Sequence, residues 1–378
     1  MKIVVAPDSF KGSLSAVEVA ARIEEGIKRA GNDILVKKIP VADGGEGTVE
    51  ALVIATEGRM ISNKVSGPLM EEIDSYFGIL GDDKTAVIEM AAAAGLSLVK
   101  ENLRNPMETT TYGVGELIRA ALDWGCKRMI IGIGGSSTND GGMGMAQALG
   151  AEFYDDSGSL LKYGGKQLSK IHTINVSKLD ERLKEVEIIV ACDVNNPLYG
   201  PEGAAHIYGP QKGATPHMVE ALDKGLRTYA DKIKELLKVE IAEIPGSGAA
   251  GGLGGGLIAF TNANLSPGID IVTKFCRFEE EIIDADLLIT GEGKTDKQTA
   301  YGKVPVGLAT IASKHNVPVV CLSGGLAAGY EEVYKHGIDA TFSNVCDCMT
   351  LKEAMDNAGK MLVERSYSIA RLVKKLKG

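Results

Sequence analysis

Short apolar runs that stop abruptly at a carboxylate or a glycine pair recur along this chain. Ile3–Ala6 stops at Pro7-Asp8, Leu287–Thr290 at Gly291-Glu292-Gly293, and Val319–Leu322 at Ser323-Gly324-Gly325. Apolar runs this short, bounded by turn residues, read as strands buried on both faces, the habit of parallel sheets. Helical patterns lie between them. Ser15-x-x-Glu18 forms a capping box, and Ala16, Val19, Ala20, Ile23 and Ile27 follow at helical spacing until Gly31. Pro305–His315 reads as a second such helix, stopped by Asn316 and Pro318. Parallel neighbours need a crossover between them, so this alternation points to an open α/β sheet.

Right-handed crossovers then order the strands. Ile3–Ala6, Leu35–Val41, Leu287–Thr290, Val319–Leu322 and Ala340–Asn344 predict five parallel strands in the order 2-1-3-4-5. That is a flavodoxin-like, doubly wound domain, discontinuous over residues 1–43 and 285–378. Residues 44–284 are expected as a second domain inserted into it. Within them Met60–Val65, Glu72–Leu80 and Thr85–Glu89 are joined by the short turns Gly67-Pro68 and Gly81-Asp82-Asp83. Short turns mean antiparallel pairing. With a helix from about Thr48 to Thr56 before them, a helix near Val114–Trp124 and a strand Met129–Ile133 complete an α-β-β-β-α-β pattern, a mixed sheet.

Glycine is the compositional anomaly. It supplies 47 of 378 residues, where about 7% is usual. About half of them fall in five windows, 44–47, 132–150, 246–256, 291–307 and 324–329. Glycine costs backbone entropy on folding, so such clusters suit tight turns or close approach to a ligand. The net charge of −9 and the lack of a basic patch argue against nucleic acid. No apolar stretch reaches the ~18 residues that a membrane span needs. The six cysteines form no C-x-x-C, and no apolar leader opens the chain. A cytoplasmic protein is expected, and a homodimer is compatible with it.

Ligands of open α/β sheets bind at the carboxyl ends of strands. Asp8, Asp43, Glu89, Asp193 and Glu292 stand at such ends, and Asp140 lies in the loop after another. The segment Gly132–Gly144 follows a strand and enters a helix. Its glycines and the hydroxyls of Ser136, Ser137 and Thr138 make it a candidate anion cradle. Gly291–Asp296 imitates a P-loop, but the required glycine five residues before Gly293 is Leu288. Glu292 and Asp296 remain as carboxylates able to hold Mg²⁺ through water, with Lys294 and Lys303 in reach of phosphates. Asp8, Lys11 and Ser13 sit at the predicted switch point. Asp193, Asn195, Asn196 and Lys212 suit a small, hydroxylated, anionic ligand. Gly246–Gly251 matches GxGxxG, with Asp270 about 20 residues on, so a nicotinamide-dependent oxidoreductase acting on a hydroxy acid is the alternative.

Several segments together resemble the type 1 glycerate kinases: APDSFKGSLSA (6–16), VADGGEGT (41–48), TYGVGELI (111–118), IGGSSTNDGGMGMAQALG (133–150), ACDVNNPLYGPEGAA (191–205), YGPQKGA (208–214), GAAGGLGGGL (248–257) and LLITGEGKTDKQTAYGKVP (287–305). They run in order through nearly the whole chain. The resemblance implies a flavodoxin-like domain plus a restriction-enzyme-like mixed domain. It also implies ATP-dependent phosphorylation of (R)-glycerate, usually at the 2-hydroxyl, in organic-acid catabolism. Under that reading, phosphoryl transfer takes place in a cleft between the domains. Gly134, Gly135, Ser136, Ser137, Asn139, Gly252, Gly254 and Lys303 are the candidate phosphate contacts, and Glu292 and Asp296 the candidate Mg²⁺ ligands, with an exchange of the ATP and glycerate halves left open. Asp8, Lys11, Ser13, Asn195, Asn196 and Lys212 are the glycerate contacts, and Asp193 or Asp43 accepts the hydroxyl proton.

Overall fold

The structure, a computed structural model, describes residues 1–42, 44–45, 47–300 and 303–377. The chain divides into two compact units. One comprises Met1–Asp43, Glu50–Glu57 and Ile269–Gly378, the other Gly44–Val49 and Gly58–Gly268.

The first unit is built on a five-stranded sheet. Its strands are β1 (Lys2–Pro7), β2 (Leu35–Lys38), β11 (Leu287–Gly291), β13 (Val319–Ser323) and β15 (Ala340–Ser343). Their order is β2-β1-β11-β13-β15, and every neighbouring pair is parallel. This is the 2-1-3-4-5 order expected from the sequence. The strands β11 and β13 are buried end to end, and β1 along all but its first residue, because both faces are covered, as their apolar runs require. The helix Ala16–Ala30 packs Val19, Ala20, Ile23 and Ile27 into a cluster with Ile3, Val5, Leu287 and Ile289. Burying such side chains stabilises the unit by about 1.5–3 kcal/mol each. The register Pro7↔Gly291 sets the ends of β1 and β11 side by side, and the Asp8 N–H donates to the Gly291 carbonyl at 2.8 Å. A short ribbon, β12 (Lys294–Thr295) with β14 (Gly325–Leu326), extends beyond those ends.

The second unit has a six-stranded mixed sheet. It comprises β3 (Arg59–Ser66), β4 (Glu72–Ile79), β5 (Thr85–Glu89), β6 (Arg128–Gly132), β9 (Glu187–Ala191) and β10 (Asn264–Ser266), in the order β10-β9-β6-β5-β4-β3. The pairs β3–β4 and β4–β5 are antiparallel, and β5, β6, β9 and β10 run parallel. A separate ribbon pairs β7 (Glu152–Tyr154) with β8 (Thr173–Asn175). Glu89 pairs with Gly132, and Gly132 with Ala191, so the loops after β5, β6 and β9 leave from one edge. Leu117, Ile118 and Ala121 of the helix Tyr112–Asp123 join Phe77, Ile88, Ile131 and Val190 in the core below them. A second core gathers Phe153, Tyr229 and Phe260, whose rings meet 5.7–6.5 Å apart.

Ala249–Thr261 is helical despite its many glycines. Glycine content there argues against a helix, yet a helix forms after a left-handed stretch at Ala250, Gly251 and Gly252. Burial outweighs propensity here. Leu253, Leu257 and Phe260 enter the core, and a Cβ on Gly256 would overlap the Gly141 carbonyl oxygen, so only glycine permits this approach. The C-terminal segment forms two helices, Leu351–Asp356 and Ala358–Lys377. Among the described residues, no helix is long and apolar enough to cross a membrane.

Candidate functional site

In the first unit the chemistry gathers at the ends of β1, β11 and β13. Glu292 follows β11 directly and is nearly closed off from solvent. Its Oε1 accepts from the Thr299 hydroxyl at 2.6 Å, and its Oε2 from Lys303 Nζ at 3.3 Å. Burial pushes the carboxyl above its ordinary value, and the Thr299 hydroxyl and Lys303 ammonium pull it back. Beneath it, the Thr295 and Ser323 hydroxyls are 2.6 Å apart, and Ser323 Oγ accepts from the Glu292 N–H at 3.4 Å. Lys303 is the N-cap of the helix Val304–Lys314, with Pro305 in the first turn and no side-chain cap. Asp296 is partly engaged, with Oδ1 accepting from the Gln298 N–H at 2.9 Å and Oδ2 lying 3.8 Å from Lys294 Nζ. Asp8 holds the Ser9 N–H at 2.6 Å. Lys11 is exposed on the following turn, where its backbone N–H lies close to Gly293. Ser13 donates instead to the Met355 carbonyl at 2.9 Å, so its hydroxyl anchors the helix Leu351–Asp356. Asp8, Lys11, Glu292, Asp296 and Lys303 are thus brought to one end of this sheet, as read from the sequence.

In the second unit a buried carboxylate organises the loop after β6. Asp140 has no solvent-exposed surface. It accepts from the Thr111 N–H at 2.8 Å and hydroxyl at 2.9 Å, the Thr110 hydroxyl at 3.2 Å, and the N–H groups of Gly142 and Gly144 at 3.2 Å. Burial raises its pKa, and the Thr111 bonds and loop amides oppose the rise. The signal was the run Thr109-Thr110-Thr111, fully buried and hydroxyl-rich, which the sequence reading passed over. Lys212, expected as a glycerate contact, is 1% exposed and donates to the Thr138 carbonyl at 2.6 Å. Burial drives its pKa down to about 7, and the Asp140 charge partly restores it.

The loop 132–144 is therefore largely turned on the protein itself. Ser137 gives both its N–H and its hydroxyl to the Ala94 carbonyl at 2.9 Å, and Thr109 donates to the Ser137 carbonyl at 2.8 Å. Gly134 packs against Gly45, and Gly135 adopts a left-handed φ of +74° beside Ala91. Ser136 and Asn139 are buried, and the Asn139 amide and the Thr138 hydroxyl have no hydrogen-bond partner among the described residues. Gly252 and Gly254 are buried where backbone meets backbone, against Gly141 and Gly246. Asp193 accepts from the Gly268 N–H at 2.9 Å at the end of β9. Asn195 is exposed, whereas Asn196 is engaged by Tyr208 at 2.6 Å and by the Glu202 carbonyl at 2.8 Å. Glu89 takes the Val49 N–H at 2.8 Å, a helix cap. Asp43 lies outside the described residues.

The segment Gly246–Gly251 lacks the dinucleotide context. It follows the helix Pro216–Leu237 and a turn, not a strand, and its last residues are left-handed.

Comparison with known proteins decides the family. A family model described as "Glycerate kinase family" matches residues 3–374. The chain belongs to the glycerate kinase family. It is thereby a phosphotransferase. Glycerate kinase of Bacillus subtilis (strain 168) is 51% identical over 374 residues, covering 99% of this chain and 98% of that one. Glycerate 2-kinase of Escherichia coli (strain K12) is 50% identical over 370 residues, covering 98% and 97%. A crystal structure described as a glycerate kinase 2 from Salmonella typhimurium LT2 superposes with a TM-score of 0.91 at 49% identity. It covers 100% of this chain and 99% of that one. No comparison favours the oxidoreductase alternative for this glycerate kinase family member.

Proposed function

We propose that the protein transfers the terminal phosphoryl group of ATP to the 2-hydroxyl of (R)-glycerate. The observation that carries this reading is half-identity along nearly the whole chain to glycerate kinases, among them a glycerate 2-kinase. Phosphoryl transfer asks a protein chiefly for positioning and charge neutralisation. Lys303, an exposed ammonium at an uncapped helix N-terminus, supplies both toward a phosphate. Glu292 holds Lys303 and buttresses it through Oε2. Lys11 and Asn195, both exposed, are the candidate contacts for the acid and its hydroxyls. Asp193, fixed by the Gly268 N–H, is the described candidate for accepting the hydroxyl proton.

Mg²⁺ fits the donor set. Among the described residues no group of three or more metal-ligating side chains exists. Mg²⁺ is usually held by one or two carboxylates together with phosphate oxygens and water. Glu292 and Asp296 offer such oxygens, so the cation would arrive with the nucleotide and neutralise charge on its phosphates.

The test is ADP release by the purified protein with ATP, Mg²⁺ and (R)-glycerate. Release that needs glycerate supports the reading. Release at the same rate without it removes the reading.

A further inference from the structure

We propose that Arg104 binds the substrate carboxylate and makes the site specific for a hydroxy acid. The inference rests on the glycerate reading above and adds to it the residue that would recognise the acid.

Arg104 lies in the loop after β5, just past the 3₁₀ turn Glu101–Leu103. Three loops leave the carboxyl edge of β5, β6 and β9, and specific contacts tie them together. Thr109 Oγ1 donates to the Ser137 carbonyl at 2.8 Å, joining the β5 and β6 loops. Lys212 Nζ donates to the Thr138 carbonyl at 2.6 Å, joining the β9 and β6 loops. The third contact is Arg104 against Gly213. Gly213 has φ of +92°, and a Cβ there would overlap the Arg104 carbonyl oxygen and stand 3.0 Å from its Cβ. Arg104 is thus held by backbone packing beside the buried Lys212, at the edge where open α/β sheets take ligands.

Its side chain is ready for an anion. The Nε–H is buried and has no acceptor among the described residues, and no described carboxylate pairs with the guanidinium. Four other arginines of this unit pair with carboxylates, Arg182 with Asp180 and Asp123, Arg128 with Glu187, Arg59 with Asp83 and Arg119 with Glu116, and Arg227 lies over the Tyr199 ring. A buried donor left unmade costs about 1–3 kcal/mol, which a native structure tolerates where something else completes it. Lys212 is closed off by Thr138 and cannot serve as the surface cation of these loops. A guanidinium also matches a carboxylate with two parallel hydrogen bonds, which an ammonium cannot do.

The experiment compares wild type, Arg104→Gln and Arg104→Lys in steady-state kinetics with each substrate varied. Arg104→Gln should raise the KM for (R)-glycerate at least tenfold while the KM for ATP stays within twofold. Arg104→Lys, which keeps the charge but not the fork, should fall between and guards against a misfolded glutamine variant. A glycerate KM within twofold of wild type in both variants would overturn the assignment. So would equal rises in both KM values, the mark of a merely structural role. Should wild type not turn over glycerate, the proposed function fails. Calorimetry of (R)-glycerate binding then judges Arg104 separately: weaker binding by Arg104→Gln supports it, and equal or absent binding by both proteins overturns it.

Discussion

Lys212 Nζ stands 2.6 Å from the carbonyl oxygen of Thr138, with both residues closed off from solvent. Burial drives the lysine far below its usual range, to about 7. The unfolded chain, with an ordinary lysine near 10.5, binds more protons across the interval between. Stability should therefore rise with pH from about 7 to about 10, by up to roughly 1 kcal/mol per unit. Urea midpoints at pH 7.5 and 9.5 check this. The gap between wild type and Lys212→Met should shift in favour of wild type at the higher pH. Parallel behaviour of the two proteins would remove the buried lysine as the cause.

Asp140 is the fixed point of the same loop. It accepts from two threonine hydroxyls and three backbone amides. Asp140→Ala strands these donors in the interior and should cost about 3–5 kcal/mol, read as a lower denaturation midpoint. Asp140→Asn keeps one acceptor oxygen and should lose less.

Gly251 sits at φ of +71°, where a Cβ would overlap the Thr138 carbonyl oxygen. Gly251→Ala combines a left-handed conformation with a backbone clash. It should destabilise the protein by about 2 kcal/mol or more, measured by urea unfolding. A change within about 0.5 kcal/mol would show that this contact does not constrain the loop.

Glu292 separates two roles. As a metal-binding carboxylate, its replacement in Glu292→Gln should raise the Mg²⁺ concentration for half-maximal rate severalfold. As a buttress for Lys303 alone, it should raise the KM for ATP and leave the Mg²⁺ dependence unchanged. Rates measured across a Mg²⁺ series distinguish the two.

Much of the architecture was legible because period and punctuation agree. The runs at 3–6, 287–290 and 319–322, bounded by turn residues, read as buried strands, and with those at 35–41 and 340–344 crossover handedness ordered them as β2-β1-β11-β13-β15. The antiparallel turns at Gly67-Pro68 and Gly81-Asp82-Asp83 marked β3–β4–β5 equally well. The helix Ala249–Thr261 was hidden because its glycines are selected by close backbone approach, which a propensity scale counts only as a penalty. At the site, the residues at the ends of β1 and β11 were visible as carboxylates and lysines beside glycine. Burial was not visible. Lys212 and Ser137 look like surface donors in a sequence, and only packing shows that each is engaged by a main-chain carbonyl. Arg104 carried no flag, since its significance lies in lacking a partner.

The central claim is transfer of phosphate from ATP to the 2-hydroxyl of glycerate. The most direct test incubates the purified protein with ATP, Mg²⁺ and (R)-glycerate and follows ADP and product together. Phosphorus NMR locates the new ester. The account predicts ADP formed in equal amount to a phosphoglycerate whose phosphorus couples to the C2 proton. Coupling to the C3 protons would contradict the assigned position, and ADP formation independent of glycerate would contradict the function itself.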